Sequence, residues 1–243
     1  MKKIKAKIVV NLITFIRVIG TFLIPFVNNY LSPQQFIIYI ALIFMTDTLD
    51  GMLARLFKVC TLFGAILDSA ADKLFGIATL LVLARVYPIM YLLVILEIVI
   101  LLINTISGSK GANSKSSKIG KCKTWILAIA IVLGYITVYS KSFITIIENK
   151  SLIGRRLYNT LVFILNNQKI FISTIAIVTF IFSLIVAIDY YLRNHKEVIK
   201  NKINTKKIRV KQGKELLIAL FDEEFYEKTK NEPLIYRLGR EVN

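Results

Sequence analysis

Apolar runs of about bilayer-spanning length recur along the chain, each closed by a short polar or turn-forming stretch. The first runs from about Ile8 to Val27 and ends in Asn28-Asn29-Tyr30 and Ser32-Pro33. The second starts near Gln34 and reaches about Phe57, the third covers about Thr61 to Arg85, and the fourth covers Pro88 to about Ile106. A polar loop, SGSKGANSKSSKIGKCKT from Ser107 to Thr124, separates these from a fifth run, about Trp125 to Ser140. The sixth is about Ile170 to Leu192. Backbone in lipid must satisfy its own hydrogen bonds, which leaves helices or a closed barrel. The pattern therefore predicts an all-α polytopic membrane protein with a six-helix bundle. Between the last two runs, Lys141 to Lys169 is a basic connection with an apolar patch, LVFIL, that reads as an interfacial helix. Residues 1–192 form the transmembrane unit. Residues 193–243 form a basic tail in which Lys214 to Lys228, KELLIALFDEEFYEK, reads as one short amphipathic helix.

Charge adds an orientation. The 243 residues are 56% hydrophobic yet carry a net charge of +17. The opening MKKIKAK holds four lysines and reads as a cytoplasmic anchor. Six spans would then return the tail to the cytoplasm and place the basic Lys141–Lys169 connection outside, against the usual bias. The first apolar run has no A-x-A cleavage site, which argues against a secretory signal. Basic residues that flank apolar spans suit anionic lipid or an anionic substrate, and no nucleic-acid-binding motif accompanies them. Cys60 and Cys122 form no C-x-x-C pair and His195 is the only histidine, so a zinc or triad site has no material.

The candidate chemistry lies in DTLDGMLARLFKVCTLFGAILDSAAD, from Asp47 to Asp72. Asp47 and Asp50 are three apart and Asp68 and Asp72 four apart, so each pair shares a helix face. An ionised acid at bilayer depth costs about 2.5–3.5 kcal/mol on insertion scales. Four together need a metal, a water-filled cavity or a partner cation. In an antiparallel hairpin of spans two and three, the late first pair meets the early second pair near the cytoplasmic side. There the four can hold divalent ions through oxygen ligands. Gly51, Ala54 and Gly64 let a bulky group approach the backbone, and Arg55 is the fixed cation beside the first pair. Asn11, Thr14 and Arg17 line up on the first span, with Arg17 free to snorkel. Glu97 is an intramembrane acid that needs a partner.

The stretch resembles the signature of the CDP-alcohol phosphatidyltransferase family, D-x2-D-G-x2-A-R-x8-G-x3-D-x3-D. Asp47, Asp50, Gly51, Ala54, Arg55, Gly64, Asp68 and Asp72 fill all eight positions. Asn11, Thr14 and Arg17 match an N-x-x-T-x-x-R element that lines the nucleotide–metal cavity in that family. Lys110, Gly111, Ser117, Gly120, Lys121, Lys123 and Thr124 match a loop run of the branch that uses glycerol 3-phosphate. That branch usually carries arginines before the glutamate matching Glu97 and before the loop. Here those regions read VILEIV and LLINTIS, which leaves the acceptor open.

The resemblance implies a metal-dependent transferase of phospholipid biosynthesis at the cell membrane, with its active site facing the cytoplasm and its catalytic domain in residues 1–192. It implies a two-metal site for Mg²⁺ or Mn²⁺ held by Asp47, Asp50, Asp68 and Asp72, with Asp72 also the general base. CDP-diacylglycerol would lie against Gly51, Ala54, Arg55, Gly64, Asn11, Thr14 and Arg17. The acceptor phosphate, expected to be that of glycerol 3-phosphate, would meet Lys121, Lys123 and Thr124. Serine, inositol phosphate and phosphatidylglycerol are the alternative acceptors. Membrane lipids are the expected surroundings, and a homodimer is left open.

Overall fold

A computed structural model describes residues 2–112, 118–147, 152–201, 208–230 and 232–241. Six long helices form the body: α1 (Lys2–Val27), α2 (Pro33–Leu56), α3 (Leu62–Val86), α4 (Tyr91–Ser109), α5 (Lys118–Val138) and α8 (Gln168–Asn201). Two shorter ones, α6 (Ser140–Ile147) and α7 (Leu152–Asn166), connect α5 to α8. The tail holds α9 (Gly213–Phe221), α10 (Glu223–Thr229) and α11 (Leu234–Leu238). Strands β1 (Ile208–Val210) and β2 (Gly239–Glu241) bracket these three as an antiparallel pair.

The body is apolar outside and mixed inside. On α1 the buried residues are Val10, Thr14, Arg17, Thr21 and Ile24, one stripe at helical spacing. Leu12, Phe15, Ile16, Ile19, Phe22 and Phe26 face outward. Water would not tolerate that much exposed apolar surface, whereas lipid does. Among the described residues, five helical segments are long and apolar enough to cross a membrane: Lys7–Val27, Pro33–Leu56, Pro88–Ser109, Ile119–Val138 and Gln168–Ile199. The protein is a multi-pass membrane protein. The third expected span, α3, forms as a helix of 25 residues but is not among these five. It carries Asp68, Asp72, Lys73 and Arg85. It also packs against α1, α4 and α5, and such a central helix can carry charge because it is screened from lipid.

Local sequence sets the helix ends. Ser32 caps α2 in a reciprocal capping box with Gln35, and Pro33 takes the first turn. Thr61 caps α3, its hydroxyl accepting from the Gly64 N–H at 3.2 Å. At the end of α4, Gly111 takes φ 89°. Its N–H donates to the Gly108 carbonyl, and the Ala112 N–H donates to that of Ser107. This is a Schellman closure, which favours glycine at that position.

The larger of two buried apolar clusters among the described residues lies at the end of the bundle away from the acids. Ile24, Phe36, Leu80, Leu83, Met90, Leu93, Tyr135 and Ile172 pack there. At the same end Tyr139 donates to Asn28 Oδ1 at 2.6 Å and Tyr87 donates to Gln168 Oε1 at 2.8 Å. The basic connection between α5 and α8 therefore lies at that end, as two helices rather than one. Two other expectations change. The polar loop is shorter than its sequence, because α5 begins at Lys118; Lys121, Lys123 and Thr124 are helical, and Ser117 lies outside the described residues. The single amphipathic helix in the tail breaks at Asp222, whose carboxylate accepts from the Glu224 and Phe225 N–H groups and so starts α10. Helix α8 runs on to Asn201, past the expected domain limit at 192.

Candidate active site

Three helices build the site. α2 ends and α3 begins across a five-residue turn, Phe57 to Thr61, in which Lys58 adopts φ 52° to reverse the chain. The turn brings the two acid pairs face to face, as their sequence positions imply. Helix α1 packs against both helices.

Arg17 occupies the middle of the acids. Its side chain is 2% exposed. The guanidinium pairs with Asp47, donates to Asp68 Oδ1 at 2.7 Å, and lies 3.6 Å from Asp72 and 4.0 Å from Asp50. Snorkelling is thus overturned: Arg17 is buried and the carboxylates around it hold it in place of the interface. Arg55, expected to be the fixed cation here, is exposed and folds back along α2, its Nε donating to the Gly51 carbonyl at 2.9 Å. The spacing N-x-x-T-x-x-R was the available signal for Arg17, since it puts Asn11, Thr14 and Arg17 on one face of α1.

The fit to metal can be judged from the acids themselves. Asp47, Asp50 and Asp68 each place one oxygen within 4.8 Å of the others. Asp50 is buried, its Oδ2 accepts from the Thr14 hydroxyl at 2.7 Å, and its Oδ1 is a buried acceptor without a hydrogen-bond partner. A buried carboxylate oxygen in that state is costly unless a cation meets it. Hard divalent cations choose such all-oxygen sets. Four carboxylates against one guanidinium also leave three formal negative charges unbalanced. The donor set fits divalent metal. Asp72 is outside the three-oxygen group, and its side chain is 57% exposed.

Beside the acids is a cleft of about 160 Å³. Of the seven residues expected to contact the nucleotide, Asn11, Thr14, Gly51, Ala54 and Gly64 line it; Arg17 and Arg55 do not. Asp50 and Asp68 form one end and Val59, Cys60 and Thr61 the other. A Cβ on Gly64 would come within 3.2 Å of the Thr61 hydroxyl and 3.5 Å of Asn11 Oδ1, so a side chain there would crowd the cleft wall. Tyr226 from the tail also lines the cleft, which no local sequence signal indicated.

The candidate acceptor residues do not line this cleft. Lys123 is buried and pairs with Glu97 at 2.6 Å, giving that intramembrane acid its partner. Lys121 is exposed on the first turn of α5, and the Thr124 hydroxyl donates to the Gly120 carbonyl at 3.1 Å.

Comparison with known proteins gives the family. The family model of the CDP-alcohol phosphatidyltransferases matches residues 7–153. The chain belongs to that family and is a transferase. It is 31% identical over 129 residues to a CDP-diacylglycerol–glycerol-3-phosphate 3-phosphatidyltransferase of Aquifex aeolicus, across 50% of this chain and 71% of the relative. A protein of the same name from Pseudomonas fluorescens is 29% identical over 140 residues, covering 51% and 70%. One from Haemophilus influenzae is 38% identical over 81 residues, covering 31% and 44%.

Proposed function

We propose that the protein transfers the phosphatidyl group of CDP-diacylglycerol to sn-glycerol 3-phosphate, giving phosphatidylglycerophosphate and CMP. The observation that carries this reading is the meeting of Asp47 and Asp50 with Asp68 beside a cleft lined by small residues of the same signature. The relatives named above support the choice of acceptor. The body is taken to cross the membrane six times, with α3 as the central span. The acid end then faces the cytoplasm, where the soluble acceptor and CMP are found.

Asp47, Asp50 and Asp68 would hold Mg²⁺ or Mn²⁺ in a two-metal site, with Asp72 as a further ligand. Bound there, the ions supply positive charge to the substrate pyrophosphate and to the departing CMP oxygen. Thr14 orients Asp50 through its hydrogen bond. Arg17 holds the four carboxylates together. Gly51, Ala54 and Gly64 leave room for the nucleotide. The acceptor hydroxyl attacks the phosphorus of the phosphatidyl group, the bond from that phosphorus to the CMP oxygen breaks, and the hydroxyl proton goes to the Asp72 carboxylate. Lys121 would attract the acceptor phosphate, with Lys123 and Thr124 on the same helix. The site at a membrane face suits one lipid and one soluble substrate.

The test uses purified full-length protein in vesicles with CDP-diacylglycerol and a panel of acceptors. Glycerol 3-phosphate is expected to give the highest kcat/KM, with CMP released only when divalent metal is present. Preference for serine, inositol phosphate or phosphatidylglycerol would change the acceptor. Full turnover in excess chelator would remove the metal site from the reaction.

A further inference from the structure

The tail lies outside the stretch matched by the family model, yet it folds back on the acid end of the bundle. Lys7 of α1 donates to the Phe221 carbonyl and lies 3.7 Å from Glu223. Phe221 packs on Phe63 at the start of α3, with ring centroids 5.1 Å apart. These contacts fix the junction of α9 and α10, and one turn further on Tyr226 enters the cleft wall. The Arg237 guanidinium sits 5.1 Å from the Tyr226 ring centroid and holds the ring in place. Arg237 is itself buried, and the Lys211 ammonium donates to its carbonyl at 3.0 Å. The ring thus belongs to an ordered unit.

Position along the cleft says what the ring meets. From Asp50 to Ala54 along α2, and from Asp68 back to Gly64 along α3, the wall runs from the acids toward the α2–α3 turn. If the pyrophosphate lies at the acids, the cytidine of the same substrate extends toward Val59, Cys60 and Tyr226. We propose that the tail is a wall of the nucleotide site and that Tyr226 binds the cytidine portion of CDP-diacylglycerol through its ring. This rests on the function proposed above. A ring is suited to the task, because base–aromatic contact does not require a charged partner and adds affinity without competing for the metal. The tail then acts on nucleotide binding and leaves the acceptor site alone.

Cys60 gives a readout that needs no turnover. It lines the same cleft, and burial followed by the nearby Glu227 and Glu223 of the tail pushes its thiol above the ordinary range. In full-length protein with Cys122→Ser, the rate of Cys60 alkylation is measured against CMP concentration in the presence of Mg²⁺. CMP is expected to protect Cys60. Tyr226→Ala should need about tenfold more CMP for half protection, within the range for a lost base–aromatic contact. Tyr226→Phe should match the parent. The KM for CDP-diacylglycerol should rise by a similar factor in Tyr226→Ala, with the KM for glycerol 3-phosphate unchanged, which also reports that the variant is folded. Lys7→Ala, which loosens the tail without touching the ring, should speed Cys60 alkylation in the absence of CMP. Identical protection curves for the parent and Tyr226→Ala would overturn the role of the ring, with the proposed function intact. Failure of CMP to protect even the parent would overturn the nucleotide reading of the cleft and this inference with it.

Discussion

At Arg17 one buried guanidinium faces four carboxylates, of which Asp50 is buried and the other three are partly exposed. Removing the buried cation leaves these charges uncompensated, a loss that approaches about 3–5 kcal/mol for a fully buried pair and is smaller here because three of the carboxylates are partly exposed. Arg17→Ala should therefore unfold at a clearly lower temperature than the parent in chelator, and added Mg²⁺ should recover more of the loss than it adds to the parent. Thermal unfolding in detergent with and without metal measures this, and equal midpoints for the two proteins in chelator would deny Arg17 its structural part. The four acids should also divide by role. Asp72→Asn keeps a possible metal oxygen but cannot take a proton, so kcat should fall about 10²–10⁴-fold at any metal concentration. Asp47→Asn should be rescued in part by more Mg²⁺. A metal titration of kcat for both variants decides; recovery of Asp72→Asn at high metal would leave it as a ligand only. The larger exposure of Asp72 and its position outside the three-oxygen group are in keeping with a proton acceptor that the acceptor alcohol can reach.

Helix α5 carries the acceptor candidates, and it treats its two lysines differently. Lys123 is buried against Glu97, whereas Lys121 faces outward one turn from the helix start. Lys121→Ala should raise the KM for glycerol 3-phosphate with little change for CDP-diacylglycerol and no loss of stability. Lys123→Ala should raise the same KM and also cost about 3 kcal/mol or more of stability, since Glu97 is left charged and alone. Glu97→Gln in the Lys123→Ala background should return part of that stability. An equal rise in KM for both substrates in either variant would mean that the lysine only shapes the helix. The element scale is also where sequence reading was least complete. The helical periodicity and the turn at Ser32-Pro33 were local and were read, whereas the capping roles of Ser32 and Thr61 came from the structure. The early start of α5 was not, because Gly and Ser between 107 and 120 read as loop. The break at Asp222 was missed for the opposite reason: its apolar residues continue a helical pattern across a residue that serves better as a cap. Gly111, which reads as part of a basic substrate loop, has a plain structural use as the left-handed residue that closes α4.

For the whole molecule, the two ends of the bundle are chemically distinct. One end gathers Lys7, the acids, the cleft and the tail; the other gathers Asn28, Tyr87, Tyr139 and Gln168 with the α6–α7 connection. The proposed six-span topology puts the first end in the cytoplasm. In a cysteine-free background, Lys3→Cys and Lys230→Cys should resist an impermeant thiol reagent in intact cells, and Arg155→Cys on α7 should react. Labelling of position 3 or 230 before lysis, or protection of position 155, would invert or break this topology. Arg155 and Arg156 on the outer side would remain at odds with the usual charge bias, which counts positive residues in short loops beside the spans.

The sequence alone determined the membrane class, the order of the long helices, the pairing of the acids and the family, because each depends on residues close together in the chain. Hydrophobic length marks a helix without knowledge of its neighbours. The three- and four-residue spacings set a helix face, and the short α2–α3 turn leaves the two acid pairs little choice but to meet. Tertiary structure decided which cation sits among the acids. Arg17 and Arg55 are both plausible from sequence, but only Arg17 lies on the α1 face that α2 and α3 enclose, where pairing with the carboxylates outweighs snorkelling. It also decided that Lys123 is held by Glu97, across 26 residues, and that Tyr226, more than 150 residues from Cys60 in the chain, forms part of the same cleft. Such contacts arise from how separate elements pack, and no local pattern encodes them.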